Sequence, residues 1–420
     1  MLQLLDQKQK AKPGMLQKFL LLASMLLALL TQPISSRKLL LINDIHLDLG
    51  SDQYYSKPGT ETNVRTLNKV LEEAAKVEDD SGDMPEAILL IGDLCKHGMA
   101  ADEGTPIQDT EWQAMKETMI EAVTAIKTAF PTVPILPSIG NNDVVYHDQA
   151  PNDQIKEKYY DELWEILFKN VTANAEIAAN TTIEATWREG GYYAVELGSD
   201  TMILTLNGMY PFYHNFEHPE VAVKMIEWVK ETLDNNPDRN FVTQTHVFFG
   251  NNYFEGIEYL WNETYTNQLV QAIRPHQDRL VLCLGAHIHH VQLMAPKSAV
   301  VDDLELVQVI SPAISPVYDN NPGYGVLIFD ETSRVESLVF RFFQLEDFER
   351  LGLIAFNHYD VMHYTGVDLN DASSVRDYVE SLFYNMQKYA GYIARNYGVR
   401  EIFAEGSQLW WPFISDIYSS

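Results

Sequence analysis

Five apolar runs in this chain each end directly before a short block of Asp, Asn or His residues. Uninterrupted runs of this length, rich in Ile, Leu and Val, are typical of strands that are buried on both faces. We therefore predict five strands whose carboxyl ends carry polar side chains. The runs are Leu39–Ile42, Ala87–Ile91, Val133–Ile139, Phe241–Thr243 and Leu280–Leu284.

Predicted helices lie between the first three of these strands. One helix is predicted from about Val64 to Val77, with Leu67, Val70, Leu71 and Ala74 on one face, and another over Trp112–Phe130. The alternation of strands and helices predicts a core of βαβ units. From Gly190 two strands follow one another closely, Tyr192–Leu197 and Met202–Asn207, which predicts a second, mixed sheet. Three more strands are predicted after His289: Leu304–Ile310, Gly325–Phe329 and Ser337–Gln344.

Beyond about Glu346 the pattern changes again. Ser373–Asn396 is predicted to be one amphipathic helix. Its apolar stripe is Val375, Tyr378, Leu382, Met386 and Tyr389, which we expect to pack on the main core.

The polar blocks share one position, the end of a strand. They are Asp44-Ile45-His46, Gly92-Asp93, Gly140-Asn141-Asn142-Asp143, Thr245-His246 and His287-Ile288-His289. Side chains at the carboxyl ends of neighbouring strands converge in space even when they are distant in sequence. A single block occurs often by chance, but five in the same position predict a shared site. Seven such ligands can hold two divalent cations with one carboxylate in common, an arrangement suited to attack on phosphorus.

Composition excludes some classes of function. The 420-residue chain is 46% hydrophobic and 11% aromatic, which is sufficient for a core of one or more domains. Its formal net charge of −29 argues against binding of a nucleic-acid duplex, which needs clustered Lys and Arg. The acidity fits either simple solubility or an acidic lumen, and composition does not separate these alternatives.

The amino terminus has the form of a secretory signal. Four lysines precede the apolar stretch Phe19–Leu30, and Ser35 and Ser36 supply small residues for cleavage. We expect residues 1–36 to be a signal peptide or, alternatively, an uncleaved type II anchor, which would be the chain's membrane contact. Either alternative places the rest of the protein outside the cell or in a lysosome- or vacuole-like lumen. The lysines are Lys8, Lys10, Lys12 and Lys18.

Two further features agree with a lumenal protein. Asn170, Asn180 and Asn262 each begin an Asn-x-Thr acceptor sequence for glycosylation. Cys95 and Cys283 are the two cysteines, so the chain is not a disulfide scaffold. Either a buried pair or two inert thiols fits their positions.

The order of the blocks resembles that of the calcineurin-like metallophosphoesterases. More narrowly, the chain resembles the acid sphingomyelinase-like phosphodiesterases and the endopolyphosphatases, through Ile203–Asn207, Ile226–Val229 and the Pro- and Asn-rich Ser311–Gly325. The resemblance implies an α/β fold: a metallophosphoesterase-type sandwich of two mixed β-sheets flanked by helices. It also implies a catalytic domain over 37–345 and a helical C-terminal subdomain over 346–420.

The resemblance also implies roles for the block residues. Asp44, His46, Asp93 and His289 would hold one metal. Asp93, Asn141, His246 and His287 would hold the other, so that Asp93 bridges the two. This mixed set of carboxylate, imidazole and amide ligands suits zinc first, and also manganese or iron. His97 matches the family's active-site His and is the candidate proton donor.

The chain departs from the family pattern at two positions. Asn142 stands where relatives carry a His, and an Asn amide cannot serve as a general acid. Ala286 follows Gly285, so the glycine before the paired histidines is shifted by one and the orientation of His287 is in question. His147 and His290 are candidates to line the substrate pocket.

These features predict a hydrolase of phosphodiesters or phosphoanhydrides. Loss of one acid at Asn142 favours a phosphate leaving group over an alkoxide, as in an endopolyphosphatase. A net charge of −29 and the lack of an evident basic groove disfavour a long polyanion. The other hypothesis is a metal-binding pseudoenzyme that recognises phosphate esters without hydrolysing them.

Overall fold

Strands and helices alternate through most of the chain in the computed structural model. The structure describes residues 37–76, 84–102, 108–252, 258–295, 304–396 and 398. The predicted signal segment 1–36 lies outside these ranges. Within them, every helix is too short or too polar to cross a bilayer.

The first sheet has six strands in the order β14-β13-β12-β1-β2-β3. β1, β2 and β3 are parallel, with Leu40 opposite Ile88 and Ile88 opposite Ile135. β12, β13 and β14 extend the sheet in antiparallel fashion beyond β1. The strands are β1 (Arg37–Ile42), β2 (Ala87–Ile91), β3 (Ile135–Ser138), β12 (Gly323–Phe329), β13 (Val335–Phe343) and β14 (Phe356–Asp360).

The second sheet has six strands in the order β10-β11-β9-β6-β5-β4. Its four central strands are parallel, and β4 and β10 pair antiparallel at its two edges. A short ribbon of β7 (Asn251–Asn252) and β8 (Glu258–Tyr259) lies apart from both sheets in the pairing. The strands are β4 (Tyr193–Leu197), β5 (Thr201–Thr205), β6 (Asn240–Gln244), β9 (Leu280–Gly285), β10 (Gln292–Met294) and β11 (Gln308–Ile310).

Helices cover the outer faces of the sandwich. In chain order they are α1 (Val64–Ala74), α2 (Asp109–Ala129), α3 (Lys156–Trp164), α4 (Ala175–Ala178), α5 (Thr181–Gly190), α6 (Pro219–Asn235), α7 (Glu263–Ile273), α8 (Leu345–Leu351), α9 (Val361–Thr365), α10 (Ala372–Phe383) and α11 (Met386–Asn396). A π-helical turn at Glu165–Lys169 and 3₁₀ segments at Thr172–Asn174 and Arg274–Arg279 complete the pattern.

The core follows the two-residue period of the strands. In β1, Leu39 and Leu41 join a cluster with Ile203, Val242 and Leu282 of the other sheet, which fills the space between the sheets. The intervening β1 residues belong to a second cluster that includes residues of α1 and α2. Because successive side chains point to opposite faces, β1 is buried on both sides and needs a continuous apolar run.

The structure confirms the α/β class, the two mixed sheets and the five strands before the polar blocks. The prediction of strand over Leu304–Ile310 was too long, because only Gln308–Ile310 pairs. The predicted helix end at Val77 lies outside the described residues, and α1 ends at Ala74.

The single helix predicted over Ser373–Asn396 is wrong, because the structure breaks it at Tyr384 and Asn385. The side chain of Asn385 accepts a hydrogen bond from the backbone N–H of Lys388, and so caps a new helix, α11. Val375, Tyr378 and Leu382 are buried as expected, whereas Met386 is 53% exposed. The segment after Glu346 also contributes the strand β14. The proposed boundary at residue 345 stays a prediction.

Candidate functional site

The polar blocks after β1, β2, β3, β6 and β9 meet at one edge of the sandwich. All seven predicted ligand side chains lie close together, although they come from both sheets. In the first group, His46 Nε2 lies 3.0 Å from His289 Nε2 and 3.3 Å from Asp93 Oδ2. Asp44 Oδ1 lies 3.8 Å from His289 Nε2. These four side chains therefore direct nitrogen and oxygen atoms at a common point.

The second group surrounds the side-chain oxygen of Asn141. That Oδ1 lies 3.0 Å from His246 Nε2 and 3.0 Å from His287 Nδ1. His246 Nε2 also lies 3.3 Å from Asp93 Oδ2. The same carboxylate oxygen of Asp93 is thus equally close to one imidazole of each group, as a bridging ligand would be.

Five of the seven ligand residues have left-handed backbone conformations. Their φ angles are 44° at Asp44, 43° at His46, 54° at Asp93, 78° at His287 and 64° at His289. Such conformations cost non-glycine residues about 1–3 kcal/mol each and persist where surrounding structure enforces them, often at functional sites. The strain turns each side chain toward the site immediately after a strand ends.

Two glycines allow the strand ends to approach one another. A Cβ on Gly92 would lie 2.7 Å from the backbone nitrogen of Gly140, and Gly92 itself has φ 78°. A Cβ on Gly140 would lie 2.0 Å from Asp93 Oδ1. The Gly-Asp and Gly-Asn pairs in the sequence therefore reflect close packing of two backbones around the Asp93 carboxylate.

The electrostatics of the site keep its carboxylates ionised. Burial disfavours ionisation of Asp44, yet His289, His46 and His246 lower its pKa to about 2. Burial likewise opposes ionisation of Asp93, but His246 and His46 hold its pKa well below the usual range. The site thus presents anionic oxygens among imidazole nitrogens.

The histidines of the site divide into two kinds. Although burial opposes protonation, Asp93 raises the pKa of His246 to about 9. Burial, aided by His246, lowers the pKa of His287 to about 4, and burial lowers that of His289 well below normal. His287 and His289 are therefore neutral near pH 7 and offer lone pairs. Neutral imidazoles beside anionic carboxylates are a donor set that fits borderline divalent cations.

Asn142 points into the protein and contacts Asp93. Its backbone N–H donates to Asp93 Oδ1 at 2.8 Å, and its side-chain amide donates to Asp93 Oδ2 at 2.8 Å. Asn142 is buried. It therefore holds the Asp93 carboxylate in place, and a catalytic role for Asn142 stays a prediction.

His97 lies at the edge of the site. Its ring stacks on that of His46, with centroids 4.1 Å apart and planes 4° from parallel. Its Nδ1 lies 2.7 Å from Glu61 Oε1, and its side chain is 33% exposed. One ring nitrogen of His97 is thus held by Glu61, and the side chain is partly exposed to solvent. This arrangement is compatible with a proton donor.

The two candidate pocket histidines have different environments. His147 is partly exposed, with Nε2 3.3 Å from the amide of Asn141 and Nδ1 3.3 Å from Asp148 Oδ2. His290 is buried, and burial lowers its pKa to about 3. The expectation that His290 lines the substrate pocket stays a prediction.

Other functional positions were missed or left open. Glu61 contacts His97, and Asp148 accepts from the Asn141 amide at 3.0 Å. Neither follows a strand or belongs to a motif, so no sequence signal identified them. Ala286 is buried in the turn, and His287 still reaches Asn141.

Cys95 and Cys283 are buried free thiols, which answers the question of a disulfide between them. Asn170, Asn180 and Asn262 are all exposed. Glycosylation at these three positions stays a prediction.

Comparison with known proteins identifies relatives at low identity. No family model matches the chain. The chain is 23% identical over 298 residues to Sphingomyelinase phosphodiesterase D of Dictyostelium discoideum, covering 69% of this chain and 61% of that protein. It is 23% identical over 270 residues to the human Cyclic GMP-AMP phosphodiesterase SMPDL3A, covering 60% of this chain and 54% of that protein. The matched regions thus span less than two thirds of either relative.

Solved structures show weaker likenesses. GAP50, the anchor in the inner membrane complex of Plasmodium, is similar with a TM-score of 0.40 and 9% identity, covering 82% of this chain and 94% of that one. The 5′-nucleotidase from Candida albicans SC5314 is similar with a TM-score of 0.35 and 13% identity, covering 83% and 57%.

The two mixed sheets flanked by helices define an α/β sandwich. The chain is similar, at 23% identity, to two proteins that are named as phosphodiesterases, one of them of the sphingomyelinase type. This confirms the resemblance that the polar blocks indicated.

Proposed function

We propose that this chain is a binuclear-metal hydrolase of phosphodiesters or phosphoanhydrides that acts in a lumen or outside the cell. The observation that carries the proposal is the position of Asp93. Its Oδ2 lies 3.3 Å from a ring nitrogen of His46 and 3.3 Å from one of His246. Those two imidazoles belong to separate groups of ligands, so the carboxylate is placed to be shared.

Each of the two groups of ligand residues would hold one divalent cation. Zinc is the first choice, and manganese or iron are the alternatives. When bound, they would supply Lewis-acid activation of water and of the phosphoryl group. The chain's own residues would position the ligands and supply a proton. Asn142 holds the shared carboxylate, and His97 stands ready to protonate the leaving oxygen.

The substrate is proposed at the level of a class. The two relatives are named as phosphodiesterases, one of the sphingomyelinase type and one for cyclic GMP-AMP. A phosphodiester substrate of the acid sphingomyelinase-like type is therefore the first choice. Asn142 favours the alternative, an endopolyphosphatase. Its amide donates to Asp93 and cannot protonate a leaving group, which leaves His97 as the nearby proton donor. A phosphate leaving group needs less protonation than an alkoxide. The net charge of −29 counts against long polyphosphate.

Hydrolysis of bis(p-nitrophenyl) phosphate by the purified full-length chain tests the proposal. We expect turnover with at least one of zinc, manganese or iron, and loss of turnover on chelation. The Asp93→Asn variant is expected to lose at least about 100-fold, because the shared ligand is removed. Asp153→Asn is a matched control, since that side chain is 93% exposed and its loss should leave activity unchanged.

Two results would contradict the proposal. Full activity of the Asp93→Asn variant would exclude the shared carboxylate. Tight binding of phosphate esters without hydrolysis, for every metal at acidic and neutral pH, would instead favour the pseudoenzyme. A panel of sphingomyelin, nucleoside triphosphates and polyphosphate then distinguishes the remaining substrates.

Location and organisation are also proposed. Residues 1–36 would direct the chain into the secretory pathway as a cleaved signal or a type II anchor. Residues 37–345 would form the catalytic domain and 346–420 a C-terminal subdomain. Exposure of Asn170, Asn180 and Asn262 supports glycosylation in that compartment.

A further inference from the structure

We propose that Glu61 is a positioning residue that orients His97 and keeps its outer nitrogen available to protonate the leaving group. The inference rests on the proposed phosphoesterase function and extends it to a residue outside the metal-ligand motifs.

Glu61 holds His97 through two contacts. Its Oε1 lies 2.7 Å from His97 Nδ1 and accepts a hydrogen bond from the His97 backbone N–H at 3.2 Å. A carboxylate cannot donate, so the ring nitrogen that faces it carries the proton. The other nitrogen, Nε2, is then the one left for the substrate. The same logic applies wherever a carboxylate orients a catalytic imidazole.

Glu61 is itself fixed by contacts on both sides. The hydroxyl of Ser315 donates to Glu61 Oε2 at 3.1 Å. The backbone N–H of Ser315 in turn donates to the carbonyl oxygen of Asp44 at 2.9 Å. The next residue, Thr62, donates from its backbone to the carbonyl of His46 at 3.2 Å. The carboxylate is therefore anchored to the same backbone segment that carries two of the proposed ligands.

The ring of His97 has little freedom once Glu61 holds it. One face stacks on His46 at 4.1 Å, and the ring of Tyr318 lies edge-on at 6.0 Å. Burial opposes ionisation of Glu61, but the hydrogen bond from His97 and the nearby ring of His46 lower the pKa of the carboxyl below its usual value. An ionised Glu61 can only accept from His97 Nδ1, 2.7 Å away, so this hydrogen bond fixes the orientation of the ring.

The step balances as follows. A water oxygen forms a bond to phosphorus, and the bond from phosphorus to the leaving oxygen breaks with its electron pair on that oxygen. The leaving oxygen takes the proton from His97 Nε2, and the imidazole keeps its Nδ1 proton against Glu61. The attacking water releases a proton to solvent, and solvent returns one to Nε2, which is reachable because the side chain is 33% exposed.

This role predicts a dependence on the leaving group. Protonation matters when the departing oxygen is basic and matters little when it is a stable anion. Two substrates separate the cases: methyl phenyl phosphate, with a basic phenolate, and methyl p-nitrophenyl phosphate, with a stable one. A residue that only supports the fold would affect both substrates equally.

The test compares kcat for both substrates in the wild type, Glu61→Ala, Glu61→Gln and His97→Ala. General acids contribute about 10²–10⁴-fold. His97→Ala is therefore expected to lose about 100-fold on the phenyl ester, and Glu61→Ala about 10-fold or more. Both should lose less than about threefold on the p-nitrophenyl ester. Glu196→Gln, a 65% exposed Glu on β4, is the matched control.

Two further measurements make the result decisive. The Glu61→Ala/His97→Ala double variant should be no slower than His97→Ala alone, because a positioning residue acts only through the residue it positions. Bound metal, measured by elemental analysis, should be unchanged in Glu61→Gln. Thermal unfolding identifies any variant that fails to fold, and Glu61→Gln then replaces Glu61→Ala.

An equal loss on both esters, or an additive loss in the double variant, would overturn the role of Glu61 while leaving the phosphoesterase proposal intact. A wild-type chain that hydrolyses neither these esters nor nucleoside triphosphates or polyphosphate, with any of the three metals, would overturn the proposed function itself.

Discussion

At the scale of single residues, the site is built by strain and by hydrogen bonds to one carboxylate. Asp93 has φ 54° and accepts two hydrogen bonds from Asn142. The amide is a good partner here because it donates without carrying a charge that would compete with the cations. Asn142 therefore supports the carboxylate that we propose to be shared between two cations.

Asn142→Ala should weaken metal binding. Loss of the side-chain hydrogen bond frees Asp93 Oδ2 to rotate, and removal of such an outer contact costs about 10–100-fold in metal affinity. Competition with a fluorescent zinc chelator measures this change. Asn236→Ala, which loses a 2.8 Å hydrogen bond to the Thr232 carbonyl at the end of α6, should leave metal affinity unaltered. Equal affinity in wild type and Asn142→Ala would contradict this role.

At the scale of secondary structure, capping decides where several helices begin. Asn180 and Asn262 stand at the N-caps of α5 and α7. The side-chain oxygen of Asn180 accepts from the backbone N–H groups of Thr182 and Ile183, and that of Asn262 accepts from the backbone N–H of Thr264. Both are also predicted glycosylation acceptors. The two roles use different atoms, since a glycan is carried on nitrogen and the cap uses oxygen. The helix start and the modification can therefore coexist at one residue.

Asn262→Asp separates the two roles. The carboxylate keeps the cap, because Asp is as good an N-cap as Asn, but it cannot accept a glycan. We expect the variant secreted from a eukaryotic host to have a lower mass than the wild type. After deglycosylation, the variant and the wild type should have the same unfolding temperature. Asn262→Ala removes both functions and should also cost about 1 kcal/mol of stability. An unchanged mass in the Asp variant would show that Asn262 carries no glycan.

At the scale of the whole molecule, the site makes stability depend on pH when metal is absent. His287 and His290 have pKa values of about 4 and 3 in the folded protein, and that of His289 is also well below normal. The unfolded chain takes up these protons near pH 6.5, so stability is lost as pH falls below that value. Asp143 offsets one of the three protons, because burial and Asp93 raise its pKa to about 6.

The His290→Asn variant should therefore be less sensitive to acid. It lacks one buried group that resists protonation, so its free energy of unfolding should fall less steeply between pH 6 and pH 4. The difference in slope from the wild type should be up to about 1.4 kcal/mol per pH unit. Urea unfolding of the metal-free wild type and variant at a series of pH values measures the difference. Parallel curves would contradict the assignment of His290 as neutral and buried.

The sequence by itself determined the five strands that precede the polar blocks and the candidate ligand residues that follow them. A buried strand needs a continuous apolar run, and a polar block directly after it must lie at the edge of the sheet, so Asp44, Asp93 and His246 could be located without coordinates. These are local consequences of periodicity and of the position of a residue relative to a strand end.

Tertiary structure alone decided which side chains meet in the loops. None of these contacts could be predicted from the residue spacing of a strand or a helix. They are Glu61 with His97, Asn142 with Asp93, and Asp148 with Asn141. The capping of α11 by Asn385 and the pairing of β14 depend likewise on packing between distant segments. Contacts of this kind form where the folded backbone brings loops together, and side-chain direction in a loop has no regular relation to sequence.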